Sequence, residues 1–255
     1  MGSPGKLIRW KRFLNRNGEI GIIVPIDHGF TRGPIQGIEN IKNICSWLTH
    51  PIISGILAHK GMIAHLATEG CLINKGVMVH LNGMISTSIH VAKKIQLTGV
   101  EHAIRWGADA VSLDLNFDGL NDAQNVQLLG QVVDAADQYG LPVLVMVSDK
   151  IPIKSESNYI ERLRHFIRLS MELGADAVKV AFELGPKNLK NLLHLIALDI
   201  PIFLAGGGLQ NDDNLILEYF KEAMECGAKG MCIGRNIFQR KNPTILLDKL
   251  EQLVQ

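Results

Sequence analysis

The chain has 255 residues, 47% of them hydrophobic, enough to bury the core of one α/β barrel or of two small domains. Its 26 basic and 25 acidic residues leave a formal charge of +1, which gives no electrostatic case for a nucleic acid or an anionic membrane surface as partner. No apolar run reaches the roughly 18 residues of a membrane span. Four cysteines (Cys45, Cys71, Cys226, Cys232) without metal-type spacing read as reduced thiols of a cytoplasmic protein.

Met1 to Pro4 are set aside as a candidate cloning scar, and Lys6, Arg9, Lys11 and Arg12 read as the solvated face of a first helix. Apolar strand-like runs follow at 21–26, 53–57, 77–81, 110–115, 142–147, 177–181, 201–205 and 230–233. Helical periodicity fills 35–48, 123–139, 159–173, 187–198, 211–226 and 244–254. Three stretches, 101–115, 168–182 and 221–235, repeat one pattern: an amphipathic run, a Gly-Ala-Asp or Gly-Ala-Lys pivot at Gly107, Gly174 or Gly227, then a strand. Gly140 joins those glycines where a helix end needs positive φ. Eight strands alternating with helices and no dividing linker predict a single (β/α)₈ TIM barrel over residues 1–255. An open doubly wound sheet is the runner-up, but no strand is followed by Gly-x-Gly-x-x-Gly.

In such a barrel the chemistry gathers at the C-terminal ends of the strands. The ends here are Asp27-His28-Gly29, His80-Leu81-Asn82, Asp114-Leu115-Asn116, Ser148-Asp149-Lys150, Gly206-Gly207-Gly208 and Gly234-Arg235-Asn236. The sixth strand, Ala177-Val178-Lys179-Val180-Ala181, sets a lysine inside an apolar run. Alternation turns Lys179 inward between two alanines and sends Val178 and Val180 toward the helices. A desolvated amine gives up its proton more readily and becomes a nucleophile. A structural lysine paired with Asp27 or Asp114 is the competing reading. The glycine run, Gly234 and Arg235 suit an anion such as phosphate, with short helix N-termini aimed at it. Asp27 and His28 with His80 or Asp114 also read as metal ligands, but a neighbouring Lys179 favours amine chemistry, so no metal or cofactor is expected. The remaining histidines, 50, 59, 65, 90, 102, 165 and 194, read as surface or loop residues.

Asp27-His28-Gly29, Gly174-Ala175-Asp176-Ala177-Val178-Lys179, Ala205-Gly206-Gly207 and Gly234-Arg235-Asn236-Ile237-Phe238-Gln239 together resemble the DeoC/FbaB-type class I aldolases, in order over nearly the whole chain. The stretch from Val79-His80-Leu81 to Ser86-Thr87-Ser88, with Gly107 to Ser112, is most similar to the 2-amino-3,7-dideoxy-D-threo-hept-6-ulosonate synthase branch. That branch joins a ketose phosphate fragment to aspartate semialdehyde. The resemblance implies a metal-independent aldolase or transaldolase, working as a homo-oligomer. It makes Lys179 the Schiff-base lysine and Asp27 its proton-transfer partner. Gly206, Gly207, Gly234 and Arg235 match the phosphate-holding turns. Gly208 and His80 are further candidate substrate ligands, and His28, Asp114 and Ser148 further candidate catalytic residues.

The sequence departs from the family where a tyrosine ends the fifth strand: Ser148 stands there, followed by Asp149 and Lys150. A serine hydroxyl is shorter and far less acidic than a phenol. Asp149, Lys150 or a water held by Ser148 is the expected substitute, with Lys150 also a candidate substrate ligand. Asp114 stands where the branch tends to carry histidine, and Leu209-Gln210 replace a lysine. These differences weigh against plain fructose-bisphosphate cleavage. Two further readings keep the barrel and change the outcome: Schiff-base acyl transfer or retro-aldol on a short phosphorylated diketone, and a non-catalytic phosphosugar-binding barrel.

Overall fold

The computed structural model describes residues 2–15, 17–85, 94–194 and 196–254, so Ser86 to Ser88 and His90 lie outside the described residues. Eight strands form a closed parallel barrel: β1 (Gly21–Pro25), β2 (Gly55–Ala58), β3 (Gly76–His80), β4 (Ala110–Phe117), β5 (Val143–Asp149), β6 (Ala177–Val180), β7 (Ile202–Ala205) and β8 (Gly230–Cys232). They pair in chain order, and β8 closes onto β1 with Gly230 opposite Gly21 and Cys232 opposite Ile23. The runner-up open sheet is thereby excluded. A two-stranded ribbon, Asn82–Gly83 against Ile95–Gln96, stands over the mouth between β3 and β4.

The helices are α1 (Pro4–Trp10), α2 (His28–Arg32), α3 (Ile41–Leu48), α4 (Lys60–Thr68), α5 (Val100–Arg105), α6 (Asp122–Asp137), α7 (Glu156–Glu172), α8 (Leu189–Leu193), α9 (Ile196–Asp199), α10 (Asp213–Glu225), α11 (Arg235–Phe238) and α12 (Pro243–Val254). The periodic run at 35–48 becomes helical only from Ile41, because the Asn40 side chain caps the helix by accepting from Asn43 N–H at 3.0 Å. The run at 187–198 divides into α8 and α9 at His194, whose ψ of 120° leaves the helical region. Helices α4 and α5 escaped the periodicity argument because each is short, and α4 carries a glycine, Gly61, inside it.

The three-fold repeat has a structural meaning. Gly107, Gly174 and Gly227 all take positive φ (80°, 91° and 93°), ending a helix so that the chain can turn into the next strand. The aspartates that follow two of them bond backward onto the neighbouring strand. Asp109 accepts from Val77 N–H at 3.0 Å, and Asp176 accepts from Val143 N–H at 2.9 Å. The same carboxylates hold the N-terminal segment: Arg12 pairs with Asp109, and Lys6 pairs with Asp176 at 2.9 Å and with Asp137.

The basic cluster is therefore only in part a solvated face: Lys11 and Arg12 are exposed, but Lys6 is buried. The cluster fastens α1 to the barrel floor, where Arg9 donates to Gly140 O at 3.0 Å. Ser3 and Pro4, set aside on sequence, begin that helix, with Ser3 as its cap. Trp10 and Phe13 plug the floor against Ile23, Leu57, Met78, Leu144, Ala177 and Phe203. The larger apolar core lies between strands and helices and includes Val178 and Val180.

The expectation of four reduced thiols is corrected. Cys45 of α3 is disulfide-bonded to Cys71, just after α4, with Cα atoms 5.5 Å apart; Cys226 and Cys232 are free. The helices that follow adjacent parallel strands become neighbours, and this brings α3 and α4 together. Among the described residues no helix is long and apolar enough to cross a membrane.

Candidate active site

On β6, Ala177 belongs to the barrel interior while Val178 and Val180 face the helices, so Lys179 points inward. It is only 7% exposed. Lys179 is level with Met146 of β5, which is level with Asp114 of β4, so the lysine and that aspartate stand two strands apart at one height. Asp27, just beyond β1, completes the set of charges that act on the amine.

Burial pushes the Lys179 ammonium toward losing its proton. The neighbouring Cys232 side chain of β8 opposes this most, followed by the Asp27 and Asp114 carboxylates, and the net direction is upward. Burial raises the Cys232 thiol too, so at neutral pH it is an uncharged partner, and Asp27 and Asp114 supply the negative charge. The resting amine is thus stored as an ammonium in a polar nest. Cys232 was missed on sequence, although the alternation that turns Lys179 inward also applies to β8.

Asp27 feels burial as a force upward, yet His80, His28, Lys179 and His59 around it bring its pKa down to about 2. It is a carboxylate at any working pH. Its neighbours His80, His28 and His59 are all shifted down by burial, His80 to about 4, and so are neutral imidazoles. His80 Nδ1 lies 2.8 Å from Ser112 Oγ, and His28 Nδ1 lies 3.7 Å from Asp27 Oδ1. His28 Nδ1 is buried without a hydrogen-bond partner among the described residues.

His59 is not a surface histidine. It follows β2, with its ring 5.2 Å from that of His80 and 4.8 Å from that of Phe30. The signal that could have found it is its position at a strand end, shared with the other site residues.

The turns after β7 and β8 meet at one place. Arg235 donates to Gly207 O at 3.0 Å, and Asn236 Nδ2 donates to Gly206 O at 2.6 Å and Gly208 O at 2.8 Å. Asn236 Oδ1 accepts from Gln210 N–H at 2.7 Å. Gly207 takes φ of +67°, and a Cβ on Gly234 would sit 2.7 Å from Pro25 O. Both glycines are therefore required by the turn. Burial and then the charge of Arg32 lower the pKa of Arg235, and its Nε is buried with no partner among the described residues. The Arg235 guanidinium beside open glycine backbone makes an anion-binding corner.

The fifth strand end divides. Ser148 is buried, level with Asn116. Asp149 is spent on structure: Oδ2 accepts from Arg162 Nε at 2.7 Å and Oδ1 from Ile151 N–H at 2.9 Å. It is not free to replace a phenol. Lys150 is exposed at the end of β5, where its N–H donates to Phe117 O at 2.8 Å. The alternative metal set does not assemble: among the described residues the ligand atoms of His50, Asp248 and Glu251 gather within 4.8 Å, and these lie outside the mouth.

A parallel (β/α)₈ barrel with a buried amine between carboxylates, beside an anion corner, defines an enzyme of the class I aldolase kind. Residues 21–240 match the DeoC/LacD family aldolase model, and the chain belongs to that family. The 2-amino-3,7-dideoxy-D-threo-hept-6-ulosonate synthase 1 of Archaeoglobus fulgidus is 31% identical over 251 residues, covering 98% of this chain and 91% of the relative. The 2-amino-4,5-dihydroxy-6-oxo-7-(phosphonooxy)heptanoate synthase of Streptomyces griseus is 28% identical over 247 residues, covering 97% and 89%. Among solved structures, a Schiff-base-forming fructose-1,6-bisphosphate aldolase aligns with a TM-score of 0.84 at 23% identity, covering 98% of this chain and 100% of its own. These likenesses bear out the barrel and the family expected from the motifs.

Proposed function

We propose that the protein is a metal-independent Schiff-base aldolase that joins a phosphorylated ketone donor, dihydroxyacetone phosphate or a ketose phosphate, to an aldehyde such as aspartate semialdehyde. The observation that carries this is the placement of Lys179: an inward, buried amine set between the Asp27 and Asp114 carboxylates. The named synthases that share nearly the full length of the chain support the substrate class.

The donor's phosphate takes the corner of Gly206, Gly207, Gly208, Gly234 and Arg235. Lys179, after losing its ammonium proton to water, attacks the ketone carbon to give a carbinolamine. Asp27 and the neighbouring imidazoles move the protons that expel water and form the iminium. Loss of an α-proton turns the iminium into an enamine. The enamine carbon bonds to the aldehyde, and water then releases the product from Lys179.

A cytoplasmic homo-oligomer is the setting we propose. The fold is shared with the deoxyribose phosphate aldolase of Aeropyrum pernix, a tetramer, at a TM-score of 0.60.

Borohydride reduction with dihydroxyacetone phosphate tests the reading. An intact-mass adduct mapped to Lys179 is expected in the native protein and absent in Lys179→Ala. Phosphosugar binding with no adduct would sink the aldolase and leave a binding barrel.

A further inference from the structure

The ribbon over the mouth brings a second lysine into the site. Lys94, at the start of the ribbon's returning strand, pairs with Asp114 Oδ2, and its side chain is only 9% exposed. Asp114 is itself held rigidly. Asn82, on the ribbon's first strand, accepts from Asp114 N–H at 2.9 Å and donates to Asp114 O at 3.0 Å. The other carboxylate oxygen, Asp114 Oδ1, is buried with no hydrogen-bond partner among the described residues. A buried acceptor left open is a place for a donor to arrive. Asp114 also acts directly on Lys179, two strands away at the same level, and both Asp114 and Lys94 act on His80. Lys94 therefore pairs with a carboxylate whose charge also reaches Lys179.

Carbon–carbon bond formation needs a proton source. When the enamine carbon attacks the aldehyde carbon, the C=O π pair moves onto oxygen and the alkoxide must be protonated. Neither Ser148, too weak an acid, nor Asp149, locked to Arg162, supplies that proton. An ordinary ammonium is about as acidic as an ordinary phenol, both near a pKa of about 10, so a lysine is suited to the task.

We propose that Lys94, aimed by Asp114, is the catalytic acid and base of the carbon–carbon step. This rests on the Schiff-base reading above. In synthesis Lys94 Nζ gives a proton to the new alkoxide as the enamine pair forms the C–C bond and the iminium on Lys179 is restored. Cleavage is the reverse: Lys94 Nζ receives the hydroxyl proton, the C–C bond breaks, and the electron pair of that bond moves into the iminium to give the enamine. Asp114 Oδ2 keeps hold of Lys94 throughout, and Oδ1 is left to accept from a different substrate hydroxyl.

The test follows both halves of the reaction by intact mass after borohydride quenching. Dihydroxyacetone phosphate is supplied alone, then with aspartate semialdehyde or glyceraldehyde 3-phosphate. The wild type is expected to show the donor adduct alone and a condensed, heavier adduct once aldehyde is added. Lys94→Gln should keep the donor adduct and form the condensed one at least 100-fold more slowly. Lys94→Arg keeps the charge beside Asp114 without a transferable proton and should be equally impaired.

Condensation at the wild-type rate in Lys94→Gln overturns the proposal. Condensation at the wild-type rate in Lys94→Arg does so too, by reducing the residue to a fixed charge. Loss of the donor adduct in both folded variants overturns it as well, because Lys94 then serves imine formation. If the wild type itself forms no donor adduct, the Schiff-base reading falls and this one with it. If it forms the donor adduct but never condenses, only the carbon–carbon role is overturned.

Discussion

Lys179 of β6 and Cys232 of β8 act on one another inside the barrel, the thiol helping to hold the proton of the amine. The amine is therefore held from both sides, by a soft acceptor and by the Asp27 and Asp114 carboxylates. Burial alone would release its proton, and these partners keep it. Cys232→Ala removes one of them, so the pH at which imine formation is half-complete should fall. Trapped-adduct yield against pH reads this directly, and an unmoved profile would show that the thiol has no hold on the amine.

Asn236 and Arg235 are adjacent but do different work. Asn236 is 1% exposed and makes three hydrogen bonds that join the β7 and β8 turns. Asn236→Ala removes three hydrogen bonds whose partners water can partly reach and should destabilise the fold by about 1–3 kcal/mol, with a raised KM for phosphorylated donor. Arg235→Ala should raise KM with little change in denaturation midpoint. The prediction fails if the two variants show the same stability.

The barrel was legible because its strands are short, apolar and separated by helices, and because alternation on one strand fixes where Lys179 points. The anion corner was legible from glycines and an arginine at consecutive strand ends. Other features depended on distant pairing. Lys6 and Arg12 look like solvated charges until the repeat aspartates 176 and 109 are brought beneath them. His59 looks like a loop residue until β2 stands beside β3. Lys94 looks unremarkable because only the ribbon pairing of Ile95–Gln96 with Asn82–Gly83 carries it to Asp114. No local period encodes a contact of that kind.

Thiol titration of the unreduced, unfolded chain should find two reactive cysteines, Cys226 and Cys232, rather than four. A bridge closing a loop over a sequence separation of 26 contributes on the order of 3 kcal/mol by the chain-entropy argument. Reduction, or Cys45→Ser with Cys71→Ser, should lower the denaturation midpoint accordingly. Four reactive thiols without reductant would place α3 and α4 together by packing alone.

His80 sets the acid limit of the fold. Burial lowers its pKa from 6.5 to about 4, against the opposing pull of Asp27. Between those two values the unfolded chain takes up a proton that the folded protein refuses, so stability falls as pH drops through that window. The two and a half units correspond to about 3 kcal/mol. His28 and His59 are shifted in the same direction, so they add to the decline. Asp27 contributes below it, where its stabilisation is lost as pH falls from 3.8 toward about 2. His80→Asn retains a polar group for Ser112 and removes the titration. Urea denaturation from pH 7 to pH 4 should therefore show a shallower loss in the variant than in the native protein. Equal slopes would mean that His80 accepts its proton inside the folded barrel.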